Sequence, residues 1–342
     1  MDRPNIILIT TDQQRFDTIN ALGNKNILTP HLNWLCDEGV TYTRAYADCP
    51  ICMPSRATIM TGLAGYNNGI VTNIDKQLPI SPTETLAGVL TKNGYQTRAQ
   101  GKMHFYPMRC NNGFETMEIS YDYYRECNRN QIFGGMPKQH GVGENEFEPV
   151  LSTVEEKDSL TNWVVRRSID FLETRDETRP FFLWTSFSGP HAPYDPSPNF
   201  WELYRDKTIP SPVFGDWSDT PEKLPIGLLG STYSGSGFAT TRLSDEFLTD
   251  AKRAYYAKIT QIDYSIGMLF ARLRELELLE NTWIIFTSDH GDMMGDHFMT
   301  SKGEFLEGST HIPFIIKPPF ACKDLASSSI GTHPLARKTS DT

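Results

Sequence analysis

The sequence predicts an α/β fold in which a large mixed, mostly parallel sheet is sandwiched by helices. Short apolar runs of strand length alternate with segments of helical periodicity along the chain, and this alternation is typical of a parallel sheet covered by helices. Polar residues able to do chemistry follow several apolar runs directly, as expected at the carboxyl edge of such a sheet. A length of 342 residues, with 39% hydrophobic content, suits one large domain of this class.

Capping signals and apolar runs set the elements of the first hundred residues. Thr29 and Pro30 have the residue types of a helix N-terminus, and Gly39 those of its end. Ser81 and Glu84 have the spacing of a capping box, which predicts that a second helix begins there. The predicted elements are, in order, a strand at Asn5–Thr10, a helix from Thr29 to near Gly39, a strand at Val40–Ala45, a helix from Ser81 to Gly94 and a strand at Tyr95–Gln100.

The later part of the chain repeats this alternation. Apolar residues recur at helical spacing from Ile259 to Leu276, which indicates a helix with a face towards the core. The predicted elements are a helix at Leu160–Glu173, a strand at Phe181–Thr185, a helix around Ala257–Leu279 and a strand at Trp283–Thr287.

We expect one catalytic domain over residues 1–320. Segments 105–158 and 192–250, which are rich in aromatic and turn-forming residues, interrupt the alternation and resemble insertions that shape a substrate pocket. Residues 321–342 are predicted to be a loop that leads to a truncated or missing subdomain.

Composition excludes several classes of protein. The net charge of −10 argues against nucleic acid or an anionic membrane as the main partner. The run at Asn5–Thr10 is too short to span a bilayer and lacks a cleavage site of the signal-peptide type. We therefore expect a cytoplasmic protein from the sequence as written, or a periplasmic or secreted one if a leader has been removed. The sequence does not indicate the oligomeric state.

The segment from Cys52 to Arg56 is the most informative part of the chain. It places a thiol, a proline, a hydroxyl and a guanidinium at the start of an apparent helix. Backbone N–H groups and the helix dipole favour negative charge there. The segment is therefore a place where a nucleophile could meet an anion.

Residues that could bind a metal follow two of the predicted strands. Asp12 and Gln13 come after the first strand, and Asp289 and His290 come after the strand at Trp283–Thr287. Carboxylate, amide and imidazole groups together suit a divalent ion such as Ca²⁺, Mg²⁺ or Mn²⁺. Either pair alone is more typical of a turn or a helix cap, but two such pairs with a nucleophile between them favour a site.

Cys49 and Cys52 also form a Cys-x-x-Cys pair, which occurs in redox motifs and in halves of zinc sites. The other four cysteines are scattered singly, so no second pair at zinc spacing exists. Pro54 is unsuited to the redox motif. Both interpretations remain weak alternatives.

The run Cys52-Met53-Pro54-Ser55-Arg56-Ala57-Thr58, followed by Thr61-Gly62, resembles the signature of the type I sulfatases, members of the alkaline phosphatase superfamily. The resemblance extends over nearly the whole chain. Further matching segments are Asn5–Asp12, Gly101–His104, Ser288–His297, Lys302-Gly303 and His311–Ile316.

The resemblance implies an alkaline-phosphatase-like fold and a sulfate ester hydrolase. It implies that a maturation enzyme converts Cys52 to Cα-formylglycine, whose hydrate attacks sulfur with one hydroxyl and later expels sulfate with the other. It also implies one divalent ion, with Ca²⁺ first and Mn²⁺ or Mg²⁺ as alternatives, held by Asp12, Gln13, Cys52, Asp289 and His290.

The same resemblance assigns catalytic roles to further residues. Arg56 would hold the diol, and Lys102 and Lys302 would neutralise the sulfate oxygens. His104 would take the proton from the second hydroxyl, and His191 would protonate the departing alcohol. Preorganised groups of this kind each contribute about 10²–10³ in rate.

Two other functions remain open at this point. Many sulfatases have a second aspartate where this chain has Gln13, and an asparagine where it has His290. The residues found here resemble a branch that includes phosphonate monoester hydrolases as well as polysaccharide sulfatases. The first alternative is therefore a phosphonate monoester or phosphodiester hydrolase. The second is an inactive homologue that only binds anions. The expected substrate is a sulfated carbohydrate or a small organic sulfate.

Overall fold

The computed structural model describes residues 3–129, 140–146, 148–218 and 244–322. Within them, one seven-stranded sheet has the order β2-β7-β6-β1-β5-β3-β4. Its strands are β1 (Asn5–Asp12), β2 (Val40–Thr41), β3 (Gln96–Gly101), β4 (Thr116–Ile119), β5 (Phe181–Pro190), β6 (Thr282–Ser288) and β7 (Phe314–Lys317). All pairings are parallel except those of β7 with β6 and β2. The predicted fold class is thus confirmed.

Helices lie on both faces of the sheet. The α-helices of the described residues are α1 (Pro30–Glu38), α2 (Cys52–Thr61), α3 (Gly65–Asn68), α4 (Leu86–Lys92), α5 (Ser120–Arg129), α6 (Leu160–Thr174), α7 (Pro198–Glu202), α8 (Asp245–Glu275) and α9 (Glu307–Thr310). Short 3-10 turns occur at Phe16–Thr18, Asn20–Leu22, Pro82–Glu84, Glu156–Asp158, Leu279–Asn281, Asp296–Phe298 and Phe320–Cys322.

The central strand β1 divides the core into two layers because successive side chains of a strand point to opposite faces. Ile7 and Ile9 are buried with residues of α1, α6 and α8. Leu8 is buried on the other face with residues of α2 and α4. Burial of each such side chain contributes about 1.5–3 kcal/mol to the free energy of unfolding. Helices therefore cover both faces of the sheet, and the carboxyl ends of the parallel strands remain available for a functional site.

Several element boundaries differ from the sequence expectation; β5, for example, runs to Pro190 although the predicted strand ends at Thr185. The strand predicted at Val40–Ala45 ends at Thr41, although Tyr42 N still donates to the Phe314 carbonyl at 2.9 Å. The Ser81 capping box is present but starts a 3-10 turn, and Thr85 caps α4 by accepting from Gly88 N. The long helix begins at Asp245 instead of near Ala257, because Ser244 caps it.

The predicted insertions contain regular structure. Residues 105–158 include β4, which pairs with β3 at the edge of the sheet, and α5. Residues 192–250 include α7 and the first turn of α8. Residues 130–139, 147 and 219–243 of these segments lie outside the described residues, as does the predicted terminal loop from residue 323 onward.

None of the helices in the described ranges combines the length and the apolar character that a bilayer crossing needs.

Candidate active site

The ends of β1 and β6 bring together the two residue pairs that the sequence singled out. Thr11 of β1 lies opposite Ser288 of β6 in the parallel register, so the residues that follow the two strands are neighbours. Gln13 N donates to Asp289 Oδ1 at 3.1 Å. Asp12, Gln13, Asp289 and His290 are all buried.

Cys52 occupies the first turn of α2 and faces these residues. Its Sγ lies 3.3 Å from His290 Nε2 and 3.9 Å from Asp12 Oδ1. Burial and the Asp12 carboxylate act to raise the pKa of the thiol, but the Lys102, His290 and Lys302 cations hold that pKa well below its ordinary value. The sulfur therefore lies where a negative charge is stabilised.

Four potential ligand atoms, one each from Asp12, Cys52, Asp289 and His290, lie within 4.8 Å of one another. We refer to these four residues as the ligand group. His290 Nδ1 lies 2.9 Å from the Gly291 carbonyl, and because a carbonyl only accepts, Nδ1 carries the hydrogen and Nε2 is left for a metal.

The charges of the ligand group also fit a divalent cation. Burial and the Asp12 carboxylate raise the pKa of Asp289, because a second negative charge is unfavourable in the same buried place. Burial lowers the pKa of His290, but Asp289 and the Cys52 sulfur outweigh it and raise that pKa to about 9. A proton and a metal ion would therefore compete for Nε2.

Arg56 ties the strand ends together from inside the protein and is fully buried. Its Nε donates to Asp289 Oδ2 at 2.9 Å, and one terminal nitrogen lies 3.4 Å from Asp12 Oδ2. The other terminal nitrogen donates to the Lys102 carbonyl at 2.6 Å and to Ser186 Oγ at 2.9 Å. One guanidinium thus binds groups at the ends of β1, β3 and β6 and a hydroxyl within β5.

Lys102 follows β3 and forms an ion pair with Asp12. Burial raises the pKa of Asp12, but Lys102, His191 and Arg56 together lower it well below its usual range. Gly101 before it is needed for the close approach of β3 to β5: it has a φ of +94°, and a Cβ there would lie 2.0 Å from the Ser186 carbonyl oxygen.

His191 and Lys302 contact each other next to the Gln13 side chain. Lys302 Nζ lies 2.7 Å from His191 Nε2 and donates to Gln13 Oε1 at 2.6 Å. His191 N donates to the Asp12 carbonyl at 3.0 Å. Of the predicted catalytic residues, His104 is the one that stays apart: it is exposed and lines a neighbouring cavity.

A cavity of about 350 Å³ opens next to Lys102, His104 and His191. Its walls come largely from residues 105–158 and 192–197 and from α8. They are mainly aromatic and apolar, with a few charged groups. Side chains that line it include Tyr121, Tyr123, Tyr124, Glu144, Asp195 and Lys258.

Asp292 is a contributor that the sequence did not single out. Its Oδ2 accepts from Gln13 Nε2 and from the Tyr194 hydroxyl, each at 2.5 Å. Its Oδ1 accepts from the backbone N–H of Met294 at 3.0 Å and of Ser301 at 3.1 Å. Asp292 therefore orients the Gln13 amide. The sequence feature that could have identified Asp292 is its position three residues after Asp289.

The neighbouring residues Asp296 and His297 make contacts that brace the segment after β6. Asp296 accepts from Arg15 at 2.7 Å and from Val213 N at 2.8 Å. The His297 ring stacks on Trp217 with a centroid distance of 4.5 Å.

Cys49 lies apart from the ligand group. Its thiol is half-buried and approaches the Val71 carbonyl at 3.5 Å. Burial and Asp48 raise its pKa to about 11. The ligand group contains Cys52 but not Cys49. This arrangement argues against a metal site built on the Cys-x-x-Cys pair.

Comparison with known proteins agrees with this geometry. The profile of the Sulfatase family matches residues 4–333. An arylsulfatase of Clostridium perfringens is 36% identical over 345 residues, which cover 93% of this chain and 69% of that protein.

The chain belongs to the sulfatase family. Sulfatase family members in turn are part of the alkaline phosphatase superfamily. An N-acetylglucosamine-6-O-sulfatase of Bacteroides thetaiotaomicron is 25% identical, over 96% of this chain and 65% of its own length. The solved structure of a phosphonate monoester hydrolase of Agrobacterium radiobacter superposes with a TM-score of 0.80 at 25% identity, and covers 93% of this chain and 68% of that one. This sulfatase family chain thus spans roughly two thirds of these relatives.

Proposed function

We propose that the chain catalyses hydrolysis of a sulfate monoester of a carbohydrate or another small organic alcohol. The observation that carries the proposal is the buried ligand group at the N-terminus of α2, with Arg56 and Lys102 against it. The relatives named for aryl and N-acetylglucosamine sulfates support this substrate class.

The proposed nucleophile is formylglycine made from Cys52 by a maturation enzyme, so Sγ stands in for a hydroxyl oxygen of the hydrated aldehyde. That oxygen forms a bond to sulfur, and the bond from sulfur to the alcohol oxygen breaks. The second hydroxyl then loses its proton, the carbonyl re-forms and the bond to sulfate breaks. Water restores the hydrate.

A divalent ion in the ligand group, with Gln13 Oε1 as a further ligand, would lower the pKa of the attacking hydroxyl and offset the charge on sulfate. Ca²⁺ suits the oxygen-rich donor set, and Mg²⁺ or Mn²⁺ are alternatives.

The residues of the chain divide the remaining work. Arg56 holds Asp12 and Asp289 in place and neutralises charge. Lys102 lies on the cavity side of Asp12 and would face the sulfate oxygens. Lys302 Nζ and His191 Nε2 lie 2.7 Å apart, so this pair would share a proton and deliver it to the departing alcohol. His104 would accept the proton of the second hydroxyl, which requires its exposed ring to turn towards Cys52.

A second candidate is a phosphonate monoester hydrolase. It is favoured by Gln13 and His290, the residue types that distinguish this chain from many sulfatases, and by the TM-score of 0.80 with a protein of that activity. The same nucleophile and metal would serve, because both esters are tetrahedral anions.

The test is to compare the turnover of nitrophenyl sulfate with that of a nitrophenyl phosphonate monoester by protein coexpressed with a maturation enzyme. We expect kcat/KM to be higher for the sulfate. Higher kcat/KM for the phosphonate would support the second candidate. If the protein hydrolyses neither ester but still binds metal and sulfate, the result would support an inactive homologue that only binds anions.

A further inference from the structure

The loop after β5 carries His191, and a lysine on α8 holds its backbone. Lys258 Nζ donates to the His191 carbonyl at 3.1 Å, to the Pro193 carbonyl at 2.8 Å and to Asp195 Oδ1 at 2.8 Å. An ammonium group has three N–H donors, so these acceptors account for all of them. Lys258 takes no direct part in the proposed ester hydrolysis.

We propose that Lys258 is a positioning residue that fixes the His191 ring for proton delivery to the departing alcohol. The inference rests on the proposed ester hydrolysis. It assigns to Lys258 an effect that passes through His191 and not through contact with the sulfate.

The orientation of the His191 ring depends on the peptide that Lys258 clamps. His191 Nδ1 lies 2.8 Å from the Ala192 carbonyl, and because this oxygen only accepts, Nδ1 carries the hydrogen and Nε2 points to Lys302. Lys258 binds the carbonyls on either side of Ala192. Lys258 thereby restrains rotation of the Ala192 carbonyl, which fixes the orientation of the His191 ring.

The support on which the loop rests is rigid. Lys258 lies in the interior of the 31-residue helix α8, and its side chain is only 14% exposed. The end of β5, from which the loop departs, packs directly on that helix, since a Cβ on Gly189 would lie 3.1 Å from Ile262 Cδ1 and 3.5 Å from Lys258 Cε. Asp195 is also held by His140 Nε2 at 3.3 Å.

On the other side, the backbone of His191 is tied to the site itself, because its N–H donates to the Asp12 carbonyl at 3.0 Å. The loop is therefore stretched between the end of β1 and α8. A displacement of about 1 Å in a catalytic group costs about 10² in rate. Removal of the α8 attachment should impair proton delivery while the nucleophile and the ligand group stay intact.

Substrates with different leaving groups distinguish a role in positioning His191 from a general structural role of Lys258. An alkyl sulfate departs as a strongly basic alkoxide and needs the proton, whereas nitrophenyl sulfate departs as a weakly basic anion and does not. A defect in His191 position should therefore appear with the alkyl ester only. A general loss of folded structure would lower both rates alike.

The experiment uses the matured protein with Lys258→Met, which keeps the length of the side chain but removes its donors. We expect kcat for an alkyl sulfate to fall about 30- to 100-fold and kcat for nitrophenyl sulfate to change less than about 3-fold. Lys258→Arg should recover part of the loss. Lys252→Met is the matched control, because this buried lysine of α8 donates to the Pro210 carbonyl at 3.2 Å and not to the His191 loop.

A double-mutant cycle completes the test. His191→Ala should show the same dependence on leaving group, and adding Lys258→Met to it should cause little further loss. Equal losses with both esters, additive losses in the cycle, or a raised KM with unchanged kcat would each overturn the inference. If Lys258→Met does not fold, Lys258→Gln is judged by the same comparison. Failure of the matured wild type to hydrolyse either ester would instead overturn the proposed function, and this inference with it.

Discussion

The ligand group and the cavity lie side by side but are built differently. Each of the four residues of the ligand group ends a strand, closely follows one or begins a helix, and all are buried. The cavity is assembled from β4, α5, the loop after β5 and α8, which lie far apart in the sequence. Several of its side chains, including Tyr121 and His104, are exposed.

This difference separates the chemistry from the choice of substrate. Residues adjacent to strand ends are placed by the sheet itself, so short motifs suffice to specify them. Cavity residues depend on the packing of distant segments, which can vary without disturbing the sheet. We therefore expect substitutions in the ligand group to lower kcat for every ester, and substitutions in the cavity to change KM for particular ones.

The largest expected effect is that of Cys52→Ala, which removes the precursor of the proposed nucleophile. Turnover of nitrophenyl sulfate should fall at least about 10⁴-fold, because no other group can form the ester intermediate. Cys49→Ala is the matched control and should keep its activity, since this thiol lies outside the ligand group. Near-normal turnover by Cys52→Ala would refute the assigned nucleophile.

The next effect tests how far the ligand group extends. Asp292→Asn replaces one carboxylate oxygen by an NH₂ group, which cannot accept a hydrogen bond. This group would face either the Gln13 amide and the Tyr194 hydroxyl or the backbone N–H groups of Met294 and Ser301, all of which donate to Asp292 in the wild type. We expect kcat to fall about 10- to 100-fold for sulfate and phosphonate esters alike. Tyr194→Phe removes only one donor and should cost less than about 10-fold. Unchanged kcat for Asp292→Asn would show that the Gln13 amide needs no such support.

A smaller effect is expected in the cavity. Burial, with Glu144 and Asp195, raises the pKa of Tyr124 to about 12, so its hydroxyl remains a hydrogen-bond donor. Tyr124→Phe should raise KM for a sulfated sugar about 3- to 10-fold, with kcat nearly unchanged. In the control, Tyr123→Phe, the lost hydroxyl donates to the Asp158 carbonyl at 2.8 Å. This control should lower stability by about 1 kcal/mol without raising KM, and an equal rise in KM for both variants would contradict the distinction.

The smallest effect on activity is expected at a buried carboxylate outside both regions. Asp263 accepts from the backbone N–H of His31 and Leu32 at the start of α1. Burial raises its pKa to about 7, although these hydrogen bonds act to lower it. The folded state thus holds the proton more tightly than the unfolded state, and this group's contribution to the free energy of unfolding falls as pH rises from about 4 to about 7.

Asp263→Asn stays uncharged, so its stability relative to the wild type should increase between about pH 5 and about pH 8. Urea unfolding at the two pH values measures the change, and kcat should be unaffected. A relative stability that decreases over this range would contradict the direction of the pKa shift.

The sheet and the ligand group were predictable because their signals are local. Asp12, Cys52 and Asp289 are each adjacent to an apolar run or a capping signal, and the run from Cys52 to Thr58 is specific to a family. The start of α8 was misplaced by 12 residues because its first turns pack aromatic and small side chains, without a repeating aliphatic stripe.

Residues that act through distant contacts could not be predicted from such signals. Lys258 is separated from His191 by 67 residues and Asp292 from Gln13 by 279. Each would be taken for an ordinary charged residue within its own segment. Only the packing of α8 against the loop after β5, and of the segment after β6 against the end of β1, gives them their roles.

The central claim is that Cys52 acts as an aldehyde precursor within the ligand group. The most direct measurement is the mass of the peptide that contains Cys52, taken from the same preparation whose turnover of nitrophenyl sulfate is measured. We expect specific activity to rise in proportion to the fraction of this peptide that has the mass of formylglycine. Full activity in protein whose Cys52 remains an unmodified thiol would contradict it.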